Sequence, residues 1–510
     1  MPSAYVDVRS HHFAVSGMSR QAFYELNGVL KGLRQWGFVR LPNGKFIREV
    51  LRVFAAHTDN KEEVRFPISL LPVFEEHFKS VGLGDYVISK PNPYEPAFAD
   101  FRIKPQWQER EHQVPVIEYI VNPGEPVSKF VSLATGQGKS FCSMAAMAKL
   151  KLRTMIIVRP MYMEKWREDI LRTYDIDPTR IMMVSGGKAL MTLIQLGMED
   201  NIDADIIIVS NKTLQLWIKQ YLEFYHDSTQ LGYECFPQDF LRVTKTGILL
   251  KDEVHQDFHL NTMLDCFTDV SKSISLSATL LSDDDFINRM YEVVYPKKDR
   301  YIGPPPKKHV ESAAVFYRID APNKVRTREY GQPTYSHAAF EKSIMRYRPV
   351  FENYLRLIYW SVRNSFVEHN QFKKGDRCLV FCASIDLSTK VAEYLQRRFP
   401  DFVVKRYVDD DPYEHLREGE IIVSTVLSAG TAVDIDRLLS VVLTTAIKSS
   451  QSNIQGFGRL REMKDGRTPW FWYLVCEDIP KHREYHERKQ VLLKEKSAKY
   501  KTIRYNGGSI

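Results

Sequence analysis

The stretch VSKFVSLATGQGKSFCSMAAMAKLK, residues 127–151, reads as an apolar strand, a glycine-bearing turn and a helical segment in direct succession. A turn in that setting is what a phosphate-binding loop requires. Gly136 and Gly138 let backbone N–H groups approach a phosphate, and the start of the helix adds its dipole. Thr135, Gly136, Gln137, Gly138, Lys139 and Ser140 are therefore the candidate nucleotide contacts, with Lys139 directed to the β- and γ-phosphates and Ser140 to Mg²⁺. The generic pattern opens on glycine where this chain has Leu133, so the loop alone is an incomplete signal.

Outward from the loop, short apolar runs alternate with helical patterns. Before residue 300 they are VSKFVSLA, TMIIV, ADIIIVS, GILLK and SISLS; after it, CLVFC, VVKRY, EIIVS, SVVLT and WFWYLV. Such runs separated by helices predict parallel sheets in an α/β protein. The Pro-rich IGPPPKKH (302–309) divides the ten runs equally. The expected organisation is thus a lobe over residues 99–300, a linker over 301–338 and a second lobe over 339–480.

Residues 1–98 differ in character. AYVDV, a helical SRQAFYELNGVLKGL, a hairpin at LPNGKF and a helical LLPVFEEHFKS predict a small α+β N-terminal domain that ends at the Pro-rich PNPYEPAF. Twelve Lys or Arg balance eleven Asp or Glu in residues 1–100, so this domain is expected to select a substrate by shape or to buttress the first lobe. Residues 481–510 carry nine Lys or Arg against three Glu and read as a basic tail, either a solvated helix or a nucleic-acid contact.

Composition sets the outer bounds. A chain of 510 residues exceeds one ordinary core, and 44% hydrophobic with 26% charged residues is the balance of a folded soluble protein. No stretch approaches the ~18 apolar residues of a membrane span, and the N-terminus has no apolar leader, so a cytoplasmic location is expected. The six cysteines are scattered; Cys378 and Cys382 sit in an apolar strand without metal-ligating company, so they read as structural thiols and no structural metal is expected. The net charge of +8 hints mildly at a polyanionic partner.

The second chemical segment is GILLKDEVH (247–255), an apolar strand ending in two carboxylates. Asp252 and Glu253 suit Mg²⁺ binding and activation of an attacking water. A DE pair alone is ordinarily a solvated turn, but this one ends a strand about 110 residues after a phosphate loop. Further segments follow in order: SAT (277–279), IIVSTVLSAGTAVDI (421–435), QSNIQGFGRLRE (451–462) and, upstream of the loop, REHQVPVIEYI (110–120).

Together these resemble superfamily 2 DExH helicases. Within that superfamily the chain is similar to phage branch-migration DNA helicases (the UvsW-like group), in the Leu at the loop's start, in IIIVSNKTLQ (206–215) and in the N-terminal layout. The resemblance implies two tandem RecA-like lobes, ATP and Mg²⁺ as ligands, and sequence-independent action on forked or branched DNA. By the same resemblance Gln113 reads adenine, Asp252 binds Mg²⁺, Glu253 orients water, and Gln455, Arg459 and Arg461 form an arginine-finger motif. His255, Ser277, Thr279 and Gly430 are then the coupling residues. Arg159, Gly186, Gly187, Asn211, Thr213, Ser384 and Thr425 are the nucleic-acid candidates, expected on the rim opposite the nucleotide. Two departures stand out. Arg461 falls one place before the usual second arginine, where Glu462 sits, and Gly430 is followed by Thr431 and Ala432 with Asp434 only nearby. An RNA helicase, a duplex translocase that does not unwind, and a non-hydrolysing clamp of the same fold remain alternatives.

Overall fold

A computed structural model describes the chain except residues 42–44, 58–61, 125–126, 135, 225–231, 279, 281, 283, 306, 321, 333, 370, 409–410, 413 and 430–434. It divides into two compact units, Met1–Leu280 with Asp284–Pro304, and Leu281–Asp283 with Pro305–Ile510.

Among the described residues the first unit carries a seven-stranded parallel sheet. Across it the strands run Ile181–Val184, Ile206–Ser210, Thr154–Val158, Ile248–Lys251, Lys272–Ser277, Ser128–Ser132 and Arg300–Ile302. The second unit has its own parallel sheet, ordered Val404–Tyr407, Ile421–Thr425, Arg377–Cys382, Leu438–Leu443, Trp470–Cys476, Glu311–Tyr317 and Lys499–Arg504. Numbered by position along the chain, both sheets have the order 3-4-2-5-6-1-7. Two lobes of one topology in tandem are the RecA-like architecture that the motifs imply. Every residue of Thr154–Val158, Ile206–Ser210 and Ile421–Thr425 is buried. Burial on both faces is why these strands are near-continuous Ile and Val without polar alternation.

All ten apolar runs are strands. Four further strands complete the sheets: Ile181–Val184, Arg300–Ile302, Glu311–Tyr317 and Lys499–Arg504. The last two revise the reading of their segments. The expected linker, 301–338, contains the Glu311–Tyr317 strand, which lies inside the second sheet between two neighbours. The expected basic tail is the helix Pro480–Lys496 and the edge strand Lys499–Arg504. His482, Tyr485, Lys489 and Leu493 of that helix are buried, and burial pushes the Lys489 amine down to about 7. Lys499 and Lys501 lie 3.6 and 3.0 Å from Glu311 on the next strand. Lysines on an edge strand discourage pairing with another chain, so part of the basic composition belongs to the sheet.

The N-terminal segment folds as a mixed five-stranded sheet, ordered Ala56–His57, Glu63–Pro67, His12–Ser16, Tyr5–Val8, Val87–Ser89, with helices Arg20–Gly32 and Leu71–Ser80. The strands that flank LPNGKF pair as a separate two-stranded ribbon, Arg34–Arg40 with Phe46–Val53, and residues 42–44 of the expected turn lie outside the described residues. This segment shares one hydrophobic core with the first lobe. Phe13, Phe54, Phe66 and Phe74 belong to the same buried cluster as Phe130, Phe258, Met290 and Tyr291, and the Phe54 and Phe258 rings are 5.2 Å apart. Polar contacts follow the same seam: Arg9 reaches Asp269 at 3.1 Å and Tyr94 donates to the Thr246 carbonyl at 2.5 Å.

A shared core predicts shared stability. Phe54→Ala should cost about 3–5 kcal/mol and lower the melting temperature of the whole first unit in one transition, read by differential scanning calorimetry. A chain beginning at Ala99 should be insoluble, because Phe258, Met290 and Tyr291 would lose their cover. Two separate transitions, or a soluble truncation, would show two independent cores.

Candidate functional site

The phosphate-loop segment begins where the Ser128–Ser132 strand ends. Leu133, in place of the usual glycine, is fully buried. Gly303 makes room for it, since a Cβ there would lie 2.4 Å from Leu133 Cδ2. Gly136 and Gly138 have φ of +92° and +83°, a region costly to other residues. Gln137 braces the turn from within and without: its Oε1 accepts from the Ala134 amide at 3.0 Å, and its Nε2 donates to the distant Pro304 carbonyl at 3.2 Å. Gln113 is buried against the same turn. Its Oε1 accepts from the Arg110 amide at 3.0 Å, and its Nε2 donates to the Gln137 carbonyl at 3.2 Å. A Cβ on Gly138 would meet Gln113 Nε2 at 2.1 Å, so that glycine also permits the close approach. Thr135 lies outside the described residues.

Lys139 and Ser140 open the helix Lys139–Leu150. Lys139 Nζ is 2.8 Å from Glu253 Oε1 and 3.9 Å from Asp252 Oδ1. Loop and strand end, far apart in sequence, thus converge on one ammonium. Glu253 takes φ +50°, a left-handed conformation unusual for a non-glycine, in the turn after Ile248–Lys251. Asp252 is oriented by two donors, the Glu253 amide at 2.9 Å and Trp166 Nε1 at 3.2 Å. Burial raises the Asp252 pKa, Lys139 opposes that rise, and the adjacent Glu253 reinforces it.

A polar chain runs on from Glu253. His255 Nδ1 lies 3.3 Å from Glu253 Oε2 and 2.8 Å from Ser277 Oγ. Burial pushes the imidazole down to about 4, so it is neutral at pH 7. Ser132, just before the phosphate loop, donates to the Ala278 carbonyl at 3.3 Å. Both carboxylate and loop segments are therefore tied to the SAT segment; Thr279 itself lies outside the described residues. Among the described residues no three His, Cys, Asp or Glu side chains converge as a protein-only metal cage. Ser140 with Asp252 is a sparse oxygen set, which suits an ion that keeps its waters and shares substrate phosphates, as Mg²⁺ does.

The nucleic-acid candidates of the first lobe interlock. Arg159 Nε lies 2.9 Å from Asp257 Oδ2, and Asn211 Nδ2 donates to that same oxygen at 3.5 Å. The Gly186 amide donates to Thr213 Oγ1 at 2.8 Å, and Gly187 starts the helix Gly187–Met198. Their position differs from expectation. Thr154–Val158, Ile206–Ser210 and Ile248–Lys251 pair in parallel, so the loops after them share an edge with the carboxylates and are displaced along it. They are not on an opposite rim.

In the second unit Arg459 is 8% exposed and follows the helix Ser450–Phe457. Arg461 donates to the Gly458 carbonyl at 3.1 Å, and Glu462 is committed to Lys307 at 2.8 Å. The side chain of Gln455 and all of Gly430 lie outside the described residues. Ser384 caps the helix Ile385–Arg398. Its amide and hydroxyl donate to Glu341 Oε2 at 2.8 and 2.6 Å, and the Ala383 amide donates to Glu341 Oε1 at 2.7 Å. Glu341 is fully buried, and burial pushes its carboxyl up to about 7 against those three donors. Thr425 Oγ1 accepts from the Ser428 amide at 3.1 Å. Sequence reasoning missed Glu341, Asp257 and Trp166. Asp257, two residues beyond DEVH, had proximity as a signal; Glu341, in HAAFEKSI, looked like a solvated helix position.

No family model matches the chain. It is 21% identical over 419 residues to the XPB helicase/translocase subunit of the TFIIH complex of Trypanosoma brucei brucei, a match covering 77% of this chain. The chain spans 42% of that relative's length. Among solved structures it is similar to S. cerevisiae Dbp5 bound to RNA and ADP BeF3 (10% identity, 78% of this chain and 90% of that one, TM-score 0.49). It is also similar to T4 UvsW (14% identity, 99% and 100%, TM-score 0.32). The chain has two lobes of one strand order and a loop lysine on an Asp–Glu pair. The chain resembles superfamily 2 helicases.

Neutral buried histidines give the first unit a pH signature. The pKa of His255 is lowered to about 4 and that of His11 to about 3, both by burial, from an ordinary 6.5. Below pH 6.5 the unfolded chain takes up protons that the folded unit does not, so this stability is present above 6.5 and lost as pH falls toward 4. Thermal midpoints from pH 7 to 4.5 should decline, and His11→Asn should decline less steeply if the variant folds. Parallel profiles would remove His11 from the account.

Proposed function

We propose that the chain is an ATP-driven nucleic-acid helicase or translocase, and that its substrate is forked or branched DNA. The observation that carries the motor reading is the Lys139 ammonium, 2.8 Å from Glu253 and 3.9 Å from Asp252 at the foot of a glycine-bearing turn. That is the charge layout of a site that exchanges a carboxylate partner for a phosphate. In this reading Lys139 and the loop amides hold the β- and γ-phosphates, while Gln113 fixes the loop and, by the resemblance, reads adenine. Ser140 and Asp252 hold Mg²⁺, which when bound neutralises charge on the phosphoryl oxygens. Glu253 orients the attacking water, and its link through His255 to Ser277 couples nucleotide state to the neighbouring strand. Arg459, with Arg461 beside it in sequence, stabilises charge on the transferring phosphoryl group, so turnover requires both lobes.

The finer reading, branched DNA, is supported by the resemblance of the loop start and N-terminal layout to phage branch-migration helicases. RNA is the second reading; the sheet-edge contacts of Arg159, Asn211, Gly186 and Thr213 suit either backbone.

Lys139→Ala, Glu253→Gln and Arg459→Ala should each lower kcat by at least ~100-fold, with Glu253→Gln still binding ATP. ATPase stimulation and unwinding should be measured on single-stranded, duplex, forked and four-way DNA and on RNA. Normal turnover by Arg459→Ala would end the two-lobe mechanism, and stimulation by RNA alone would replace the DNA reading.

A further inference from the structure

The ribbon formed by Arg34–Arg40 and Phe46–Val53 is a two-stranded sheet of its own, and no residue of Phe46–Val53 is buried. Its register places Trp36 opposite Val50, Phe38 opposite Arg48 and Arg40 opposite Phe46. Directly opposed residues of an antiparallel pair share a face, and alternate residues of a strand return to it. Trp36, Phe38, Phe46 and Arg48 therefore lie on one face, rings and guanidinium interleaved. The rings are 46%, 73% and 63% exposed, and the Arg48 guanidinium sits 5.2 Å from the Trp36 ring centre. Large rings grouped on one exposed face are the kind of surface that marks an interaction site.

Charge selects the occupant. The N-terminal segment as a whole is near neutral, yet residues 34–53 hold five Lys or Arg against one Glu. A segment this basic, with Arg48 among the rings of the face itself, repels a second copy of itself and attracts a polyanion. Aromatic rings interleaved with arginine are what unpaired bases stack on, independently of sequence. The ribbon is also firmly rooted. The amide of Phe54 donates to the Leu33 carbonyl at 3.0 Å, and the Gln35 side chain donates to the Asp284 carboxylate. The Phe54 ring lies 5.2 Å from Phe258 and 5.9 Å from Phe286, on the helices that follow the DEVH and SAT segments.

We propose that this face is a stacking platform for unpaired bases of a nucleic-acid strand, positioned by the two helices that leave the nucleotide-site segments. The proposal rests on the motor reading above and adds to it a site outside the motor segments.

The test uses the full chain and a 2-aminopurine-labelled oligothymidylate. Wild type should quench the 2-aminopurine on binding. Phe38→Ala and Phe46→Ala should each weaken single-strand binding roughly tenfold, whereas Phe38→Tyr should restore it, with circular dichroism and thermal midpoints checking the fold of each variant. A wild type whose ATPase is stimulated by nucleic acid, but which binds without quenching or shares its affinity with both alanine variants, overturns the platform and leaves the motor intact. A self-association of wild type that Phe38→Ala abolishes, seen by sedimentation, also overturns it. A wild type with no nucleic-acid-stimulated ATPase removes the motor reading, and the platform with it.

Discussion

Parallel pairing brings the carboxyl ends of neighbouring strands to one edge of a sheet, and the described first-lobe candidates for chemistry hang from that edge. Lys139, Asp252, Glu253, His255, Ser277, Arg159 and Asn211 come from different parts of the chain. The first five gather around Lys139 and Glu253 and the last two around Asp257, because the strands before them are in register. The buried Ile- and Val-rich strands pair regularly, and the short turns after them carry the irregular geometry, including the left-handed Glu253. Each lobe adds a carboxylate that organises its loops. Asp257 gathers Arg159 and Asn211, and Glu341 gathers Ala383 and Ser384. Polar groups at a sheet edge need such partners, because an unpaired buried donor or acceptor costs more than a made hydrogen bond returns.

What could be read from sequence follows from burial. Strands such as TMIIV and EIIVS are covered on both faces and therefore spell themselves out in apolar residues. Edge strands do not. KYKTIR is largely exposed, and Arg300–Ile302 is only three residues long, so neither had a pattern to find. Glu311–Tyr317 is apolar enough to be visible, but the prolines before it suggested a linker. The glycine-bearing turn and the Asp–Glu pair were visible because each follows an apolar strand, and their convergence on Lys139 is a matter of geometry. The positions of Arg159 and Thr213 were not, since residue type gives no indication of which rim of a sheet a loop occupies. Leu133 was an anomaly in sequence and has a packing reason in Gly303.

The N-terminal segment illustrates a different limit. A Pro-rich joint and a change of secondary-structure pattern mark a boundary along the chain, but a hydrophobic core is a property of surfaces. Phe13, Phe54, Phe66 and Phe74 find their partners in Phe130, Phe258 and Tyr291 of the first lobe, and periodicity in either segment alone cannot show that match. The charge balance had the same weakness, because averaging over 100 residues concealed the basic ribbon within it.

The repeated strand order also bears on how the chain is made. In each lobe the strand synthesised first ends up between the two synthesised last. Ser128–Ser132 waits for Lys272–Ser277 and Arg300–Ile302, and Glu311–Tyr317 waits for Trp470–Cys476 and Lys499–Arg504. Contacts so distant in sequence are slow to form. During translation, then, the opening strand of each lobe remains an uncovered apolar ribbon until nearly the whole lobe has left the ribosome. The first lobe can close while the second is still being synthesised, and residues 499–504 are the last piece of the second sheet to arrive.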